Sequence, residues 1–248
     1  MIPGMLGIAA LFLLIFVVML LRGTIRVQRG QAPTLRQIRA FETLKGLASR
    51  SIEAGRGLHL SLGIGGINTE TTADSLAGLI ILDHLSEQAA VTGVAPTVTM
   101  ADPTVMMLAQ TRLQAAHQDN PDRIEEAHKN IRWIAPQGAA YAAGVMSLIE
   151  TEQPEANILV GNFGDEYLLM GETAARQGTS HIGGTSDPNT LAFVYASAEE
   201  TLLGEEIYAA GAYLQKKPNH LGSLMAQDTM RSLVAWAIVI GIIVLTVS

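Results

Sequence analysis

The chain has 248 residues, of which 48% are hydrophobic and only 16% charged, and it contains no cysteine. With a mean hydropathy of +0.28 it is more apolar than a soluble domain of this size, so part of it is expected in a membrane. The lack of cysteine excludes disulfides, thiolate catalysis and cysteine-based zinc or iron–sulfur sites. Residues 57–248 carry eight Lys and Arg against twenty-one Asp and Glu, so the body of the chain is acidic and offers no basic groove for nucleic acid, which we exclude as a partner.

The N-terminal segment from Ile2 to Leu21 has no charged side chain. Twenty helical residues at about 1.5 Å each span a hydrocarbon core of roughly 30 Å, which predicts a transmembrane helix over residues 1–22. The alternative is a cleaved signal peptide. The permanent anchor is favoured because the positive charges follow the apolar segment and no small-x-small cleavage site ends it.

The C-terminal segment from Ser232 to Ser248 is also uncharged and is preceded by Arg231. It predicts a second transmembrane helix over residues 231–248, with a buried helix of the soluble domain as the alternative. Basic residues flank both predicted spans on the inner side: Arg22, Arg26, Arg29, Arg36 and Arg39 after the first, and Lys216, Lys217 and Arg231 before the second. Because cations near a span stay on the cytoplasmic side, residues 23–230 are expected to be cytoplasmic and both termini outside the cell membrane.

The central region alternates between β-prone and helical patterns, which predicts an α/β fold: a Rossmann-like, mostly parallel sheet flanked by helices. The predicted strands are Leu58–Leu62, Pro96–Met100, Ile131–Ala135, Asn157–Val160, Ser180–Ile182 and Leu191–Tyr195. The predicted helices between and after them are Thr71–Thr92, Pro103–Gln118, Gly138–Thr151, Asp165–Gln177 and Ala198–Leu214, the last with a capping box at Ser197–Glu200. The last two strands are joined by a loop alone, which makes that pair the expected departure from the parallel pattern.

A basic amphipathic helix is predicted before the first strand, with apolar residues at helical spacing from Leu35 to Ile52. Its basic face gives two interpretations. The helix lies against anionic lipid headgroups, or it is the first core helix of the domain with a solvated outer face.

Glycine-rich loops are predicted after the first, fourth and fifth strands, where ligands bind in an open parallel sheet. The candidate ligand-binding residues are Gly63, Gly65, Gly66, Asn68, Gly183 and Gly184. Backbone N–H groups in such loops can bind a small anion or a nucleotide phosphate, and the alternative is tight turns without a ligand. The dinucleotide fingerprint G-x-G-x-x-G is incomplete because its third glycine falls on Asn68, and no P-loop motif is present.

Two histidines, His59 and His181, lie on predicted strands just before glycine pairs and are the candidate catalytic acids or bases. Their alternative role is structural, as polar side chains satisfied beneath a helix. No histidine pair has metal-binding spacing, so no metal is predicted. Asp102 ends the second strand, where a ribose-binding acid would lie, but Asp102-Pro103 is also a helix N-cap followed by proline.

Three strings resemble an uncharacterised family of bacterial and archaeal membrane proteins known only as a domain of unknown function: Ala140–Met146, Gly204–Leu214 and Leu221–Asp228. The resemblance implies an α/β body with two membrane anchors and the G-I-G-G loop at Gly63–Gly66. It implies no catalytic residue.

We therefore expect a membrane-anchored, homo-oligomeric scaffold protein, with the lipid bilayer and its own copies as partners and a small anionic ligand as an open question. Small-residue helix faces around Ala139–Gly144 and Gly204–Gly211, and the Ala237/Gly241 pair, suggest close helix contacts. The alternatives are a membrane-bound enzyme acting on a nucleotide or nucleotide-sugar, and a ligand-sensing regulatory module.

Overall fold

A computed structural model describes residues 3–117, 125 and 128–247. The chain divides into two compact units. One is Gln37–Ala210, and the other joins the two chain ends, Met1–Arg36 and Gly211–Ser248. Both terminal helices extend beyond the uncharged segments from which the spans 1–22 and 231–248 were predicted.

The unit Gln37–Ala210 contains a six-stranded sheet in which every pair of neighbours is parallel. Its strands are β1 (Leu58–Gly63), β2 (Thr97–Met100), β3 (Ile131–Trp133), β4 (Ala156–Asn162), β5 (Ser180–Thr185) and β6 (Glu200–Leu203). Their spatial order is β3-β2-β1-β4-β5-β6, the order of the Rossmann fold. The predicted fold class is confirmed.

Six helices of this unit cover the sheet: α2 (Arg39–Ala54), α3 (Thr72–Thr92), α4 (Pro103–Ala116), α5 (Gly138–Glu152), α6 (Glu166–Arg176) and α7 (Leu191–Ser197). Helices α2, α3 and α4 pack on one face, and α5, α6 and α7 on the other. The face beneath α3 is apolar and includes Leu60, Val98 and Ile158. The opposite face carries one polar side chain from each of four neighbouring strands. These are Thr99 of β2, His59 of β1, Asn157 of β4 and His181 of β5.

The amphipathic helix before β1 is a core helix of this unit. Its apolar side is buried, with Phe41, Leu44 and Leu47 fully inaccessible, and it packs on α3 and β6. The exposed guanidinium of Arg39 pairs with Glu200 at 3.4 Å. Most of the apolar side of this helix is therefore used inside the domain and not at a lipid interface.

Two predicted elements near the end of the domain are wrong. The segment predicted as a strand at Leu191–Tyr195 is helix α7, because a turn closed by hydrogen bonds to the Asp187 carbonyl starts a helix there. The helix predicted at Ala198–Leu214, with its capping box, is instead strand β6, a 3-10 turn at Gly204–Ala209 and a π-helical turn at Gly211–Gln215. Strands β5 and β6 are parallel and joined through α7, so they do not depart from the pattern.

The other unit consists mainly of two long helices, α1 (Pro3–Gln28) and α8 (Pro218–Val247). The segments Ala9–Gln28 and Pro218–Thr246 are long and apolar enough to cross a membrane. The helices pack together where Gly23 meets Gly222, and a Cβ added to Gly23 would lie 2.8 Å from the Gly222 carbonyl oxygen. Ala226 and Met230, the next residues along this face of α8 at four-residue intervals, are also buried.

Candidate functional site

The strand order reverses between β1 and β4, and in a Rossmann-like sheet the ligand crevice opens at this point, beyond the carboxyl ends of the strands. Here the two strands remain paired to their last residues, Gly63 and Asn162. The Ile64 N–H then donates to the Asn162 carbonyl at 2.9 Å. Gly63 has a φ of +78°, and a Cβ there would overlap the Asn162 carbonyl oxygen, so glycine is required for this close approach. The backbone itself therefore narrows the crevice.

Asp74 lies in the first turn of α3, above this point, and only 4% of it is exposed. Its Oδ1 accepts hydrogen bonds from the Ser186 hydroxyl at 2.7 Å and the Tyr208 hydroxyl at 2.5 Å. Its Oδ2 faces the Asn162 amide nitrogen at 3.4 Å. These donors come from the ends of β4 and β5 and from the 3-10 turn after β6. The Asp74 side chain therefore links three segments at the edge of the sheet where the strands end.

Two further helix N-termini at the same edge carry an acid of their own. Asp102 caps α4, accepting from the backbone N–H groups of Thr104 and Val105 at 2.8 and 2.9 Å, which confirms the predicted cap. Glu166, in the first turn of α6, accepts from the Gly164 N–H at 2.7 Å. The partial positive charge of a helix N-terminus attracts anions, and at α3, α4 and α6 the protein supplies a carboxylate itself.

The predicted anion-binding loop, Gly63–Asn68, is held by the protein's own side chains. The Gly66 N–H donates to the Thr71 hydroxyl at 3.0 Å, and the Ser75 hydroxyl donates to the Gly66 carbonyl at 3.3 Å. A Cβ at Gly65 would lie 2.9 Å from the Ser75 hydroxyl oxygen, and one at Gly66 would lie 3.1 Å from Asp102 Oδ2. Both glycines thus permit close packing, and the Asp102 carboxylate next to Gly66 makes the surroundings of that residue unfavourable for a phosphate. Asn68 is exposed, with a φ of +66°.

Gly183 and Gly184 do not follow β5 as a loop but lie inside it, since the strand extends to Thr185. A Cβ on Gly183 would overlap the Tyr167 hydroxyl, and a Cβ on Gly184 would lie 3.0 Å from the Leu202 Cβ. The two glycines therefore face opposite helix layers. Gly183 makes room for the Tyr167 side chain to reach the sheet.

His59 and His181 lie near the amino ends of their strands, away from the carboxyl edge. His59 is four residues before Gly63, about 13 Å along the strand. Both rings are buried, at 0% and 1% exposure. Their strands, β1 and β5, are not neighbours, because β4 lies between them.

A buried hydrogen-bond network fully engages the two imidazoles. His59 Nδ1 lies 2.5 Å from the Asn157 side-chain oxygen, and its Nε2 lies 2.9 Å from the Thr99 hydroxyl. We assign the Nδ1 proton to His59, because the Asn157 oxygen can only accept and the Thr99 hydroxyl can donate to Nε2. By the same logic His181 donates from Nδ1 to the Asn157 carbonyl at 3.1 Å and accepts at Nε2 from the Tyr167 hydroxyl at 3.0 Å.

Tyr141 of α5 closes the other end of this network. Its hydroxyl lies 2.6 Å from the Ser61 hydroxyl and 3.1 Å from the Thr99 hydroxyl. Burial lowers the pKa of both histidines to about 4 and raises the pKa of Tyr141 to about 12; burial also raises the pKa of Tyr167. All four side chains are therefore neutral at physiological pH.

Asn162 and Ser186 lie in the predicted glycine-rich loops after the fourth and fifth strands, but sequence patterns gave them no role and did not point to Asp74 or Tyr208. The one available signal was an acid in the first turn of the helix after the first glycine loop, which is an ordinary feature of helix starts. Over residues 3–117, 125 and 128–247, no three acidic or histidine side chains are grouped to hold a metal ion.

A family model described as "Domain of unknown function (DUF6754)" matches residues 5–248. The match covers both terminal helices as well as the sheet domain. No curated protein and no solved structure matches the chain. The matched description carries no activity, so any assignment of roles to residues depends on the geometry above.

Proposed function

The chain belongs to the DUF6754 family, whose description names no activity, and we propose from its structure that it is a non-catalytic, membrane-anchored structural protein that associates with its own copies. In this proposal α1 and α8 cross the cell membrane, residues 23–230 face the cytoplasm and both termini lie outside. The basic residues on the inner flanks of the two spans support this orientation.

The observation that carries the proposal is the buried carboxylate of Asp74 at the strand-order reversal. A Rossmann-like enzyme binds a phosphate group at this helix N-terminus. Here a phosphate would meet an acid that is already satisfied by Ser186, Tyr208 and Asn162. Nearby, Asp102 and Glu166 occupy the starts of α4 and α6 in the same way.

The histidines support the same conclusion. A general acid or base must reach a substrate and exchange its proton near the working pH. His59 and His181 are inaccessible, bonded at both ring nitrogens and hold their neutral form. Their arrangement stabilises the contact between the sheet and helices α5 and α6.

Self-association is supported by small residues with no neighbour in the monomer. A Cβ at Gly241 of α8 would contact nothing within 4 Å, and Gly241 follows Ala237 at the four-residue spacing of close helix pairs in membranes. On α5, Ala139, Ala140 and Ala143 are exposed. The other predicted small-residue face is internal, because Ala209 and Ala210 are buried.

The competing proposal is an enzyme that acts on a nucleotide or nucleotide-sugar, and the strand order favours it. Thermal unfolding of the full-length protein in mild detergent, with and without ATP, NAD or a UDP-sugar, separates the two. A nucleotide present at 100 times its Kd would stabilise the protein by about 2.7 kcal/mol. We expect no shift in the wild type. A saturable shift of the wild type with any of these nucleotides would favour the enzyme.

The second half of the test is the mass of the detergent-solubilised protein. Light scattering should give a protein mass that is a multiple of 26.4 kDa after subtraction of detergent. A monomer in several mild detergents would contradict self-association while leaving the anchoring proposal intact.

A further inference from the structure

Three arginines form one face at the C-terminal end of α1: Arg22 and Arg26 lie in its last two turns, and Arg29 directly follows its last residue. Arg22, Arg26 and Arg29 follow one another at four- and three-residue intervals, which places their side chains on the same side of the helix. Together with Ile25 and Gln31 they line a cavity of 330 Å³. We call these five residues the arginine groove.

The described residues place no acid beside the arginine groove. In the part of the chain that the structure describes, no carboxylate lies within 4.0 Å of the Arg22, Arg26 or Arg29 guanidinium. Other cations do have acidic partners, for example Lys45 with Glu42 at 2.7 Å and Arg176 with Glu172 at 2.6 Å. In a protein whose net charge is −7, three adjacent unpaired arginines form a local site for an anion.

The position of the arginine groove indicates which anion it meets. Arg22 directly follows the uncharged segment of α1, whose side chains are exposed, for example Leu13 at 63% and Leu14 at 62%. When that segment lies in hydrocarbon, the next two helical turns, about 10 Å long, lie at the depth of the lipid phosphates. A guanidinium fits phosphate oxygens in a bidentate manner, and Ile25, which is 46% exposed, gives the groove an apolar wall.

We propose that the arginine groove binds the headgroup phosphate of a phospholipid with net negative charge, such as a phosphatidylglycerol, in the leaflet that faces the α/β domain. This inference rests on the membrane anchoring proposed above. The three arginines carry more positive charge than one phosphodiester can neutralise. The groove should therefore prefer a headgroup that has no cation of its own. Zwitterionic phosphatidylcholine presents the same phosphate next to a cation and is bound more weakly.

The test is native mass spectrometry of the full-length, delipidated protein, titrated in detergent with phosphatidylglycerol or phosphatidylcholine. The site variant combines Arg22→Gln, Arg26→Gln and Arg29→Gln. The control variant combines Arg56→Gln, Lys129→Gln and Arg176→Gln, which removes the same charge from exposed positions of the α/β domain. Wild type and control should prefer phosphatidylglycerol, and the site variant should bind it about tenfold to a hundredfold more weakly.

Three results would overturn the proposal. The first is equal binding of the two lipids by the wild type. The second is an equal loss in the control variant, which would show a general effect of net charge. The third is displacement of phosphatidylglycerol by millimolar inorganic phosphate, which would identify a site for a soluble anion.

A vesicle flotation assay separates this proposal from the anchoring on which it rests. Wild type and site variant should both float with phosphatidylcholine vesicles after an alkaline wash, since the apolar segments are unchanged. Failure of the wild type to float would overturn the anchoring and the lipid site together. Flotation of both proteins, with a lipid preference lost only in the site variant, supports the arginine groove specifically.

Discussion

The Tyr208 hydroxyl donates to the Asp74 carboxylate at 2.5 Å across 134 positions of the chain, joining the turn after the last strand to the first turn of α3. Partial burial, and then the hydrogen bond to Asp74, raise the pKa of Tyr208, which keeps this donor protonated. Tyr208 is 41% exposed, so the pair lies at the surface end of the crevice. The contact lies at the position where Rossmann-like folds bind a ligand.

Removing either partner should lower the free energy of unfolding. Tyr208→Phe deletes one hydrogen bond to a charged acceptor and should cost about 1–2 kcal/mol; Asp74→Ala leaves three donors without their acceptor and should cost about 2–4 kcal/mol. Chemical denaturation of the full-length protein in detergent measures both. Tyr195→Phe, at a tyrosine that is 74% exposed, is the control and should change nothing. Additive effects in the double variant would contradict a direct interaction.

The two buried histidines predict a loss of stability in mild acid. Their pKa is about 4 in the folded protein and 6.5 in the unfolded chain, so below pH 6.5 the unfolded state takes up protons that the folded state does not. The free energy of unfolding should be highest above pH 6.5 and should fall by about 3 kcal/mol per histidine as the pH drops to 4. Trp133 fluorescence, in a Trp236→Phe background, reports on the sheet domain.

The variant His181→Asn separates the contribution of the histidines from that of the Asp and Glu side chains, which also titrate in acid. His181→Asn removes one of the two groups, so its stability should depend less steeply on pH between 6.5 and 4 than that of the wild type. An unchanged slope would show that His181 is protonated equally in the folded and unfolded states.

Gly183 should tolerate no side chain. Gly183→Ala places a methyl group on the Tyr167 hydroxyl, which forces Tyr167 away from His181, and should destabilise the protein by about 2–4 kcal/mol. The matched control is Gly46→Ala in α2, where a Cβ meets nothing within 4 Å. This control should be neutral or stabilise the protein by up to about 1 kcal/mol, because alanine favours a helix. Equal melting temperatures for the two variants would contradict the packing described.

The orientation can be tested with single cysteines, since the chain has none of its own. Met5→Cys, Val247→Cys and Glu53→Cys place one thiol at each end and one on the exposed surface of α2. An impermeant maleimide added to intact cells should label the two terminal positions and leave position 53 unreacted until the cells are opened. Labelling at position 53 alone would reverse the proposed topology.

Two glycines of α8 should respond differently to enlargement. Gly222→Leu obstructs the contact with α1, where Thr24 Oγ1 lies 2.5 Å from the Cβ position, and should loosen the helix pair within one chain. Gly241→Leu meets no neighbour in the monomer and should instead reduce the mass measured by light scattering. Limited proteolysis measures the loosening of the α1–α8 pair, and Gly222→Leu should make this pair more sensitive to protease. An unchanged mass for Gly241→Leu would exclude this face as the subunit contact.

Much of the domain could be predicted because its signals are local. The β1 strand alternates leucine with His59 and Ser61 and ends at Gly63, and Asp102-Pro103 marks the start of α4; both signals are read from a few adjacent residues. The segment Leu191–Tyr195 was mispredicted because five apolar residues suit a strand and a buried helix equally. The acids at Glu199 and Glu200 suggested a helix start, but pairing with β5 makes this segment a strand.

The candidate site was not predictable for a different reason. The donors to Asp74 are 88, 112 and 134 positions away along the chain. Nothing in the local sequence around Asn162, Ser186 or Tyr208 indicates that all three side chains contact the same carboxylate. The glycines are visible in the sequence as possible anion-binding loops or tight turns, but sequence alone does not show that their missing side chains make room for Tyr167, Asn162 and Asp102.

The contact between Gly23 and Gly222 joins two points separated by roughly 200 residues, with the whole sheet domain between them. While the two helices stay paired, an unfolded domain remains a closed loop whose ends are held in contact. By the loop-entropy relation used for disulfides, such closure reduces the entropy gained on unfolding by about 5 kcal/mol at 25 °C. A chain without cysteine thus obtains the effect of a covalent cross-link from two residues that lack side chains.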